Sequence, residues 1–457
     1  MIPELLLVLA AASPLAADAS LPRGQVVENL HGEDAEQTYA LYLPTSYDAA
    51  RPAPIVYLLD ARGRALVPLE RFRAGGESLG VVLASSYRSR SDEAVDPNGP
   101  AVRAMWMDTH DRLQLDDRRV FLAGFSGTAR VACLLAAGTK DLVKGVIASG
   151  AGFPSALAPS PSLTFLYFAG VGDEDFNHDE VLALDRTLFD LGYPYRYEVY
   201  PGPHDWMPEA TATRALEWML LRTTPAEERP AGFVDGLFSR DRERAAAFES
   251  AGRRQDAYRA WSFMARDYAG LRDTAEAAER ARTLAASEPR KAEEKARRKA
   301  AERDQAVLGR AQQVIAQSRE DPDDPFALSR VLSELQVPSL KKRAAGQGED
   351  ALSARRMIAS LQAQLAFYLP RAASERGAHG EAVLFLTIAS EIEPQEPGIW
   401  YRLAAAQARA GRSKKALTSL GRAVDAGFRD RARLEAEGDF ASLKREAGYQ
   451  QLLARLP

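Results

Sequence analysis

The sequence predicts a three-layer α/β domain followed by an all-helical region, and three observations carry that prediction. Valine, a strand-favouring residue, occurs 16 times in residues 1–225 and 7 times in residues 226–457. In the first stretch short β-rich runs alternate with helical ones. Beyond it the chain turns Ala-, Arg- and Glu-rich with helical periodicity. A length of 457 residues fits two or three domains at roughly 150 residues each.

The expected strands are 25–29, 38–44, 55–60, 81–85, 120–124, 145–149, 163–169 and 195–200. From residue 55 onward they are unbroken apolar runs, as strands buried on both faces of a mostly parallel sheet require. Helices fit between them at 64–73, 101–113, 128–137, 179–191 and 210–221. This strand–helix alternation is the pattern of a sheet covered on both sides. The α/β domain is therefore expected over 20–222, with a Thr-, Pro- and Glu-rich linker at 223–234 and a helical region over 235–457.

Within that helical region, residues 290–306 carry no apolar side chain larger than alanine. Such a stretch cannot bury a core face and reads as a solvated, charged helix. Further on, Gly377, Ala382, Leu386, Ala389 and Pro394 recur 34 residues later as Gly411, Ala416, Leu420, Ala423 and Phe428. Trp400, Leu403 and Ala404 precede the second set, and Gly252, Ala257 and Trp261 echo the same spacing. The pattern, clearest over 363–430, resembles the tetratricopeptide repeat, whose paired helices touch at small residues. Gln407 stands where an aromatic is usual, Phe428 where proline is usual, and Pro370 inside a first helix. The resemblance implies a concave surface for a protein or peptide partner; a generic helical bundle is the alternative.

Residues 5–12 form an apolar run followed by Pro14 and the small-x-small site Ala17-Asp18-Ala19. No Lys or Arg precedes the run, and Glu4 is acidic. The run is too short to span a bilayer, so the expectation is a signal peptide over 1–19 and a periplasmic or secreted protein. No other segment has the length of a transmembrane helix, so an integral membrane protein is not expected. Lys plus Arg at 59 against Asp plus Glu at 63 leaves no basic footprint for nucleic acid. The single cysteine, Cys133, excludes an intrachain disulfide and every multi-cysteine metal site. No Walker-type loop, dinucleotide fingerprint or HExxH motif is present, so neither cofactor nor metal is expected.

The chemistry centres on Asp117-Arg118-Arg119-Val120-Phe121-Leu122-Ala123-Gly124-Phe125-Ser126-Gly127-Thr128-Ala129. A buried strand runs into Gly124-Phe125-Ser126-Gly127 and an Ala/Leu-rich helix follows. A nucleophile elbow needs this context: the serine sits on a sharp turn between small neighbours, with its hydroxyl standing proud of the sheet. Thr128 occupies a position where the pattern ends in glycine. A serine hydroxyl needs a positioned base. His204, in Pro203-His204-Asp205-Trp206 after the last strand, is well placed among the five histidines; His31, His110, His178 and His379 suit bland roles. The orienting acid belongs in Gly170-Val171-Gly172-Asp173-Glu174-Asp175-Phe176-Asn177, where Asp175 is preferred and Asp173 is the alternative. The oxyanion donors are the backbone N–H of Gly127 and that of Ala61 or Arg62, in the loop after strand 55–60.

With these residues in view, 36–222 resembles a serine hydrolase of the α/β-hydrolase superfamily. It is similar to esterase D-like esterases and to their dienelactone hydrolase and polyhydroxybutyrate depolymerase relatives. Tyr57-Leu58-Leu59-Asp60, the run from Asp117 to Ser126, and Gly202-Pro203-His204-Asp205-Trp206 carry the resemblance. It implies esterase activity on small or polymeric acyl esters through a Ser-His-Asp triad. Thr128 and Ala129 stand where that family has a glycine pair. An inert hydrolase fold serving as an interaction scaffold, and a serine peptidase, are the competing expectations. No long insertion lies between Gly150 and Leu163, so an open site without a large lid is expected.

Overall fold

The computed structural model describes residues 21–321, 324 and 326–457; the expected signal peptide over 1–19 lies outside the described residues. The chain divides into two compact units, Met1–Glu294 and Lys295–Pro457.

The first unit is built on eight strands: β1 (Val26–Leu30), β2 (Tyr39–Tyr42), β3 (Ala53–Leu59), β4 (Val82–Ser86), β5 (Leu115–Phe125), β6 (Gly145–Ser149), β7 (Leu166–Gly172) and β8 (Tyr195–Tyr200). They form one sheet in the order β1-β2-β4-β3-β5-β6-β7-β8. β1 and β2 pair antiparallel, β2 and β4 likewise, and the ladder from β4 through β8 is parallel. The connecting helices are α1 (Leu66–Leu79), α2 (Asn98–Arg112), α3 (Gly127–Gly138), α4 (His178–Asp190) and α5 (Glu209–Thr223). Alternate strand residues serve opposite layers. Ile55, Tyr57 and Leu59 pack with Met105, Ala132 and Val181 of α2, α3 and α4, while Val56 and Leu58 pack with Leu69, Phe72 and Leu216 of α1 and α5. This is the α/β-hydrolase three-layer sandwich. Strand order reverses between β3 and β5, which leaves a crevice at their carboxyl ends.

Two elements outrun the sequence reading. α1 continues through Gly75 and Gly76, where the expected helix stopped at 73. A methyl group on Gly75 would sit 3.0 Å from Thr213 Cα, and one on Gly76 3.0 Å from Leu83 and from the Val81 carbonyl. The glycines serve close approach, not helix termination. β5 begins at Leu115 instead of 120 because Asp116, buried, is held by Arg118 and Arg119.

The division between the compact units falls at 294/295, beyond the segment 223–234. Three further helices, α6 (Phe233–Ser250), α7 (Arg254–Asp267) and α8 (Ala275–Ala286), belong to the first unit. The reason lies in β8, the last strand of the sheet, which an open edge would leave prone to pairing with other chains. Arg196 on β8 bonds Asp241 of α6 at 2.9 Å and Asp267 of α7 at 2.6 Å. Glu198 on the same face takes Arg214 of α5 at 2.7 Å and also Arg244 of α6. On the other face Phe263 of α7 meets Tyr195 and Tyr197 edge-on. The intervening segment is itself anchored, with Glu228 3.0 Å from Arg118.

The unit boundary falls inside α9 (Glu288–Ser318), which contains the charged stretch 290–306. The second unit continues with α10 (Ala327–Glu334), α11 (Val337–Ala344), α12 (Glu349–Ala363), α13 (Leu369–Glu375), α14 (His379–Ile392), α15 (Pro397–Arg409), α16 (Ser413–Asp425), α17 (Arg431–Ala436) and α18 (Ala447–Ala454). A π-turn at Gln364–Tyr368 precedes α13 and accommodates Pro370, which lacks the N–H an α-helix would use there. Gly252, Gly377 and Gly411 each follow a helix with φ of 72°, 75° and 72°, and Ala257, Ala382 and Ala416 after them are buried. Gln407 is buried, accepting from Ser419 Oγ at 2.7 Å, so an amide–hydroxyl pair stands where the repeat pattern usually has an aromatic ring. Among the described residues no helix is long and apolar enough to cross a membrane.

Candidate active site

Ser126 lies between β5 and α3 with φ 56° and ψ −123°, a conformation L-residues adopt only under constraint. Three features impose it. A side chain on Gly124 would come within 2.5 Å of the Thr128 backbone, and one on Gly127 within 2.4 Å of Ser91 Cβ. The Ser126 N–H donates to the Ser149 carbonyl at 2.9 Å. Thr128 Oγ1, fully buried, donates to the Leu59 carbonyl at 2.5 Å and accepts from the Phe125 N–H at 3.1 Å. Threonine thus ties the turn to the end of β3.

The structure brings Ser126, His204 and Asp175 together. His204 Nε2 is 3.0 Å from Ser126 Oγ, and its Nδ1 is 2.9 Å from both Asp175 oxygens. With Nδ1–H donating to the carboxylate, Nε2 is left as an acceptor for the serine hydroxyl. Asp175 is fully buried and also accepts from the Asn177 N–H at 2.8 Å, while Asn177 Nδ2 donates to the Gly150 carbonyl. Gly150, at φ 63°, leaves room for Asp175 and His204 above it. Asp173 takes a different place: its Oδ1 accepts from the Gly202 N–H at 2.9 Å and holds the histidine loop to the acid loop.

Two aromatic rings enclose the imidazole. Phe125 lies 4.6 Å and Phe176 4.2 Å from it, centroid to centroid. The histidine loop is anchored from below, since Met207 N–H donates to Ser149 Oγ at 2.7 Å and Trp206 Nε1 to Asp60 Oδ2 at 2.8 Å.

Asp60 is a hub that sequence reasoning missed, although both it and Trp206 stood within the motifs. Its carboxylate accepts from the Arg62 and Arg64 N–H groups, from the Arg64 guanidinium and from Trp206. Burial works to raise its pKa, but the bonds from Arg64, Trp206 and the two amides outweigh that and hold the carboxyl below its usual range. Of the two candidate amides on this loop, that of Arg62 is engaged by Asp60 at 2.8 Å. Gly127 opens α3, so its N–H has no acceptor within the helix. Ser91 N–H fastens the same loop by donating to the Ala61 carbonyl at 3.1 Å.

The remaining histidines lie elsewhere: His110 stacks on Trp106, His178 bonds Asp179, His31 bonds the Gly32 carbonyl and His379 begins α14. Cys133 is buried on α3 and its thiol is pushed far up by desolvation, as for an inert core residue. Among the described residues no group of three or more His, Cys, Asp or Glu could hold a metal ion.

No family model and no curated protein matches the chain. Solved structures do. The fluorophosphonate-binding serine hydrolase F of Staphylococcus aureus, substrate bound, is 14% identical over 44% of this chain and 99% of its own, with a TM-score of 0.35. The S-formylglutathione hydrolase of Staphylococcus aureus is 15% identical over 44% of this chain and 99% of its own, with a TM-score of 0.34. The dienelactone hydrolase of Anabaena variabilis is 20% identical over 43% of this chain and 96% of its own, with a TM-score of 0.32.

Proposed function

We propose that this chain is a serine hydrolase that cleaves carboxylic esters through an acyl-enzyme. The observation that carries the reading is the strained Ser126 with its Oγ 3.0 Å from His204 Nε2, on an imidazole whose other nitrogen is 2.9 Å from buried Asp175. Ser126 Oγ attacks the ester carbonyl as His204 takes its proton, and Asp175 stabilises the imidazolium. The Gly127 and Ala61 amides receive the oxyanion, helped by the N-terminus of α3. His204 returns the proton to the leaving alkoxide. A water activated by the same imidazole then releases the acid.

The residues between β6 and β7 form turns without a helix, in keeping with an open site for small or extended acyl esters. Export belongs to the same reading and rests on the run 5–12 and Ala17-Asp18-Ala19. A partner-binding role for the second unit draws support from a groove of about 460 Å³ beside the π-turn, walled by Phe367, Tyr401, Arg409 and Arg433. A fluorophosphonate probe tests the central claim. Labelling of the folded chain that disappears in Ser126→Ala is expected; a folded chain that resists the probe overturns it.

A further inference from the structure

Three consecutive carbonyls at the end of β3 are each pinned by a donor. The Leu59 carbonyl accepts from Thr128 Oγ1 at 2.5 Å, and the Ala61 carbonyl from the Ser91 N–H at 3.1 Å. Between them, the Asp60 carbonyl accepts from Ser89 Oγ at 2.8 Å and from the Gly63 N–H at 3.1 Å. Ser89 is fully buried, three residues beyond the end of β4, and is itself held in place. Its N–H donates to Ser86 Oγ at 3.1 Å. The Asn98 side chain clasps the next residue, accepting from the Arg90 N–H at 3.1 Å and donating to the Arg90 carbonyl at 2.8 Å. The Ser86 carbonyl lies 3.4 Å from Ser89 Oγ, so Asp60 is the better acceptor for the one hydroxyl proton. The peptide between Asp60 and Ala61 is trans, hence planar with its N–H directed opposite to its C=O. Fixing the Asp60 carbonyl therefore fixes the direction of the Ala61 N–H, which finds no acceptor among the described residues.

We propose that Ser89, given the reading of Ser126 as nucleophile and Ala61 as oxyanion donor on which this rests, is a positioning residue for the oxyanion hole. Its hydroxyl, bonded to the Asp60 carbonyl, aims the Ala61 N–H at the ester carbonyl oxygen and strengthens that N–H as a donor. The strengthening comes from polarisation. A hydrogen bond to an amide oxygen draws electron density from the amide nitrogen, and bonds in such a chain reinforce one another. The gain is larger in the transition state, because only there does the ester oxygen develop its negative charge. Ser89 touches no substrate, so its effect falls on kcat and spares KM.

Ester turnover by the full chain, wild type against Ser89→Ala, is measured beside inhibition by a trifluoromethyl ketone, which adds to Ser126 Oγ and forms a tetrahedral oxyanion. Ser89→Ala is expected to lower kcat about 10- to 30-fold and to leave KM within about twofold. The inhibition constant of the ketone should rise by the same factor as kcat/KM falls, a proportion that a packing role would not produce. Ser85→Ala removes another buried hydroxyl of β4, one with no hydrogen-bond partner among the described residues, and should turn over like the wild type. If Ser89→Ala fails to fold, Ser89→Cys serves, since it keeps a side chain there and offers only a weak donor. Unchanged kcat, a fall in kcat without a matching loss of ketone affinity, or an equal fall in Ser85→Ala overturns the proposal and leaves the Ser126 reading standing. A wild-type chain that resists the fluorophosphonate probe overturns that reading, and the role of Ser89 with it.

Discussion

The hydroxyl of Thr128 donates to the carbonyl of Leu59 at 2.5 Å, a bond between the turn that carries Ser126 and the strand that carries the oxyanion loop. Two pieces of backbone that the proposed acyl transfer needs in register are thereby held by one buried side chain. Thr128→Val keeps the shape and removes the bond. A loss of about 1–3 kcal/mol in stability is expected, together with a fall of about tenfold in kcat as the Ala61 amide drifts from the oxyanion. Thr128→Ser should retain most of both. Chemical denaturation and ester turnover on the same preparations measure the two effects.

Asp173 and Asp175 are two residues apart and make different bonds, so their amide variants should separate. Asp175→Asn is expected to lower kcat on the order of 10³- to 10⁴-fold with the fold intact, because it no longer fixes the histidine tautomer. Asp173→Asn loses an acceptor for the Gly202 amide and should cost stability more than turnover. The reverse ranking would sink the assignment of the acid.

Phe176 and Phe125 both pack against the His204 ring, at 4.2 and 4.6 Å between centroids. A π face favours the imidazolium that forms during catalysis, by roughly 0.5–2 kcal/mol. Phe176→Ala should therefore lower kcat/KM several-fold, and Phe176→Tyr should restore it. An unchanged kcat/KM in Phe176→Ala would reduce Phe176 to packing.

Asp60 has a pKa held below its ordinary value, and the sign of its pH dependence follows. Its contribution to stability is fully present above the unfolded pKa, about 3.9, and is lost as pH falls through the lower folded value. Asp60→Asn should cost stability near neutrality and flatten the acid decline below about pH 4. Urea denaturation from pH 3 to pH 7 checks both halves of this.

The position of the unit boundary predicts how truncations behave. A chain ending at Glu294 keeps α6, α7 and α8, and should fold with turnover close to that of the full chain. A chain ending at Thr224, inside the segment first read as a linker, strips Arg196 and Glu198 of Asp241, Asp267 and Arg244. It should aggregate or melt far lower. Circular dichroism and light scattering on the two fragments decide this.

Fold class was legible because its signals are local. Unbroken apolar runs mark strands buried on both faces, and Gly124-Phe125-Ser126-Gly127 between a strand and a helix marks a turn needing small neighbours. The features that escaped reading depend on partners distant in sequence. Gly75 and Gly76 look like a helix end, and only the approach of Thr213 and Leu83 explains them. Thr128 departs from the glycine of the elbow pattern, and its acceptor, the Leu59 carbonyl, lies 69 positions away. The docking of α7 on β8 rests on pairs such as Arg196 with Asp267, 71 positions apart, and no periodicity within either element announces it.

That separation has a consequence for how the protein is made. The strand leading into the histidine loop remains an unprotected edge until α7 has been synthesised. At roughly 5–20 residues per second, the ribosome takes about 4–14 s to add the residues between Arg196 and Asp267. Throughout that interval the nascent chain carries a nearly finished sheet with an open, aggregation-competent margin. The sheet of the first unit is therefore closed late, and a message that ends before α7 leaves the margin of β8 without its Asp267 partner.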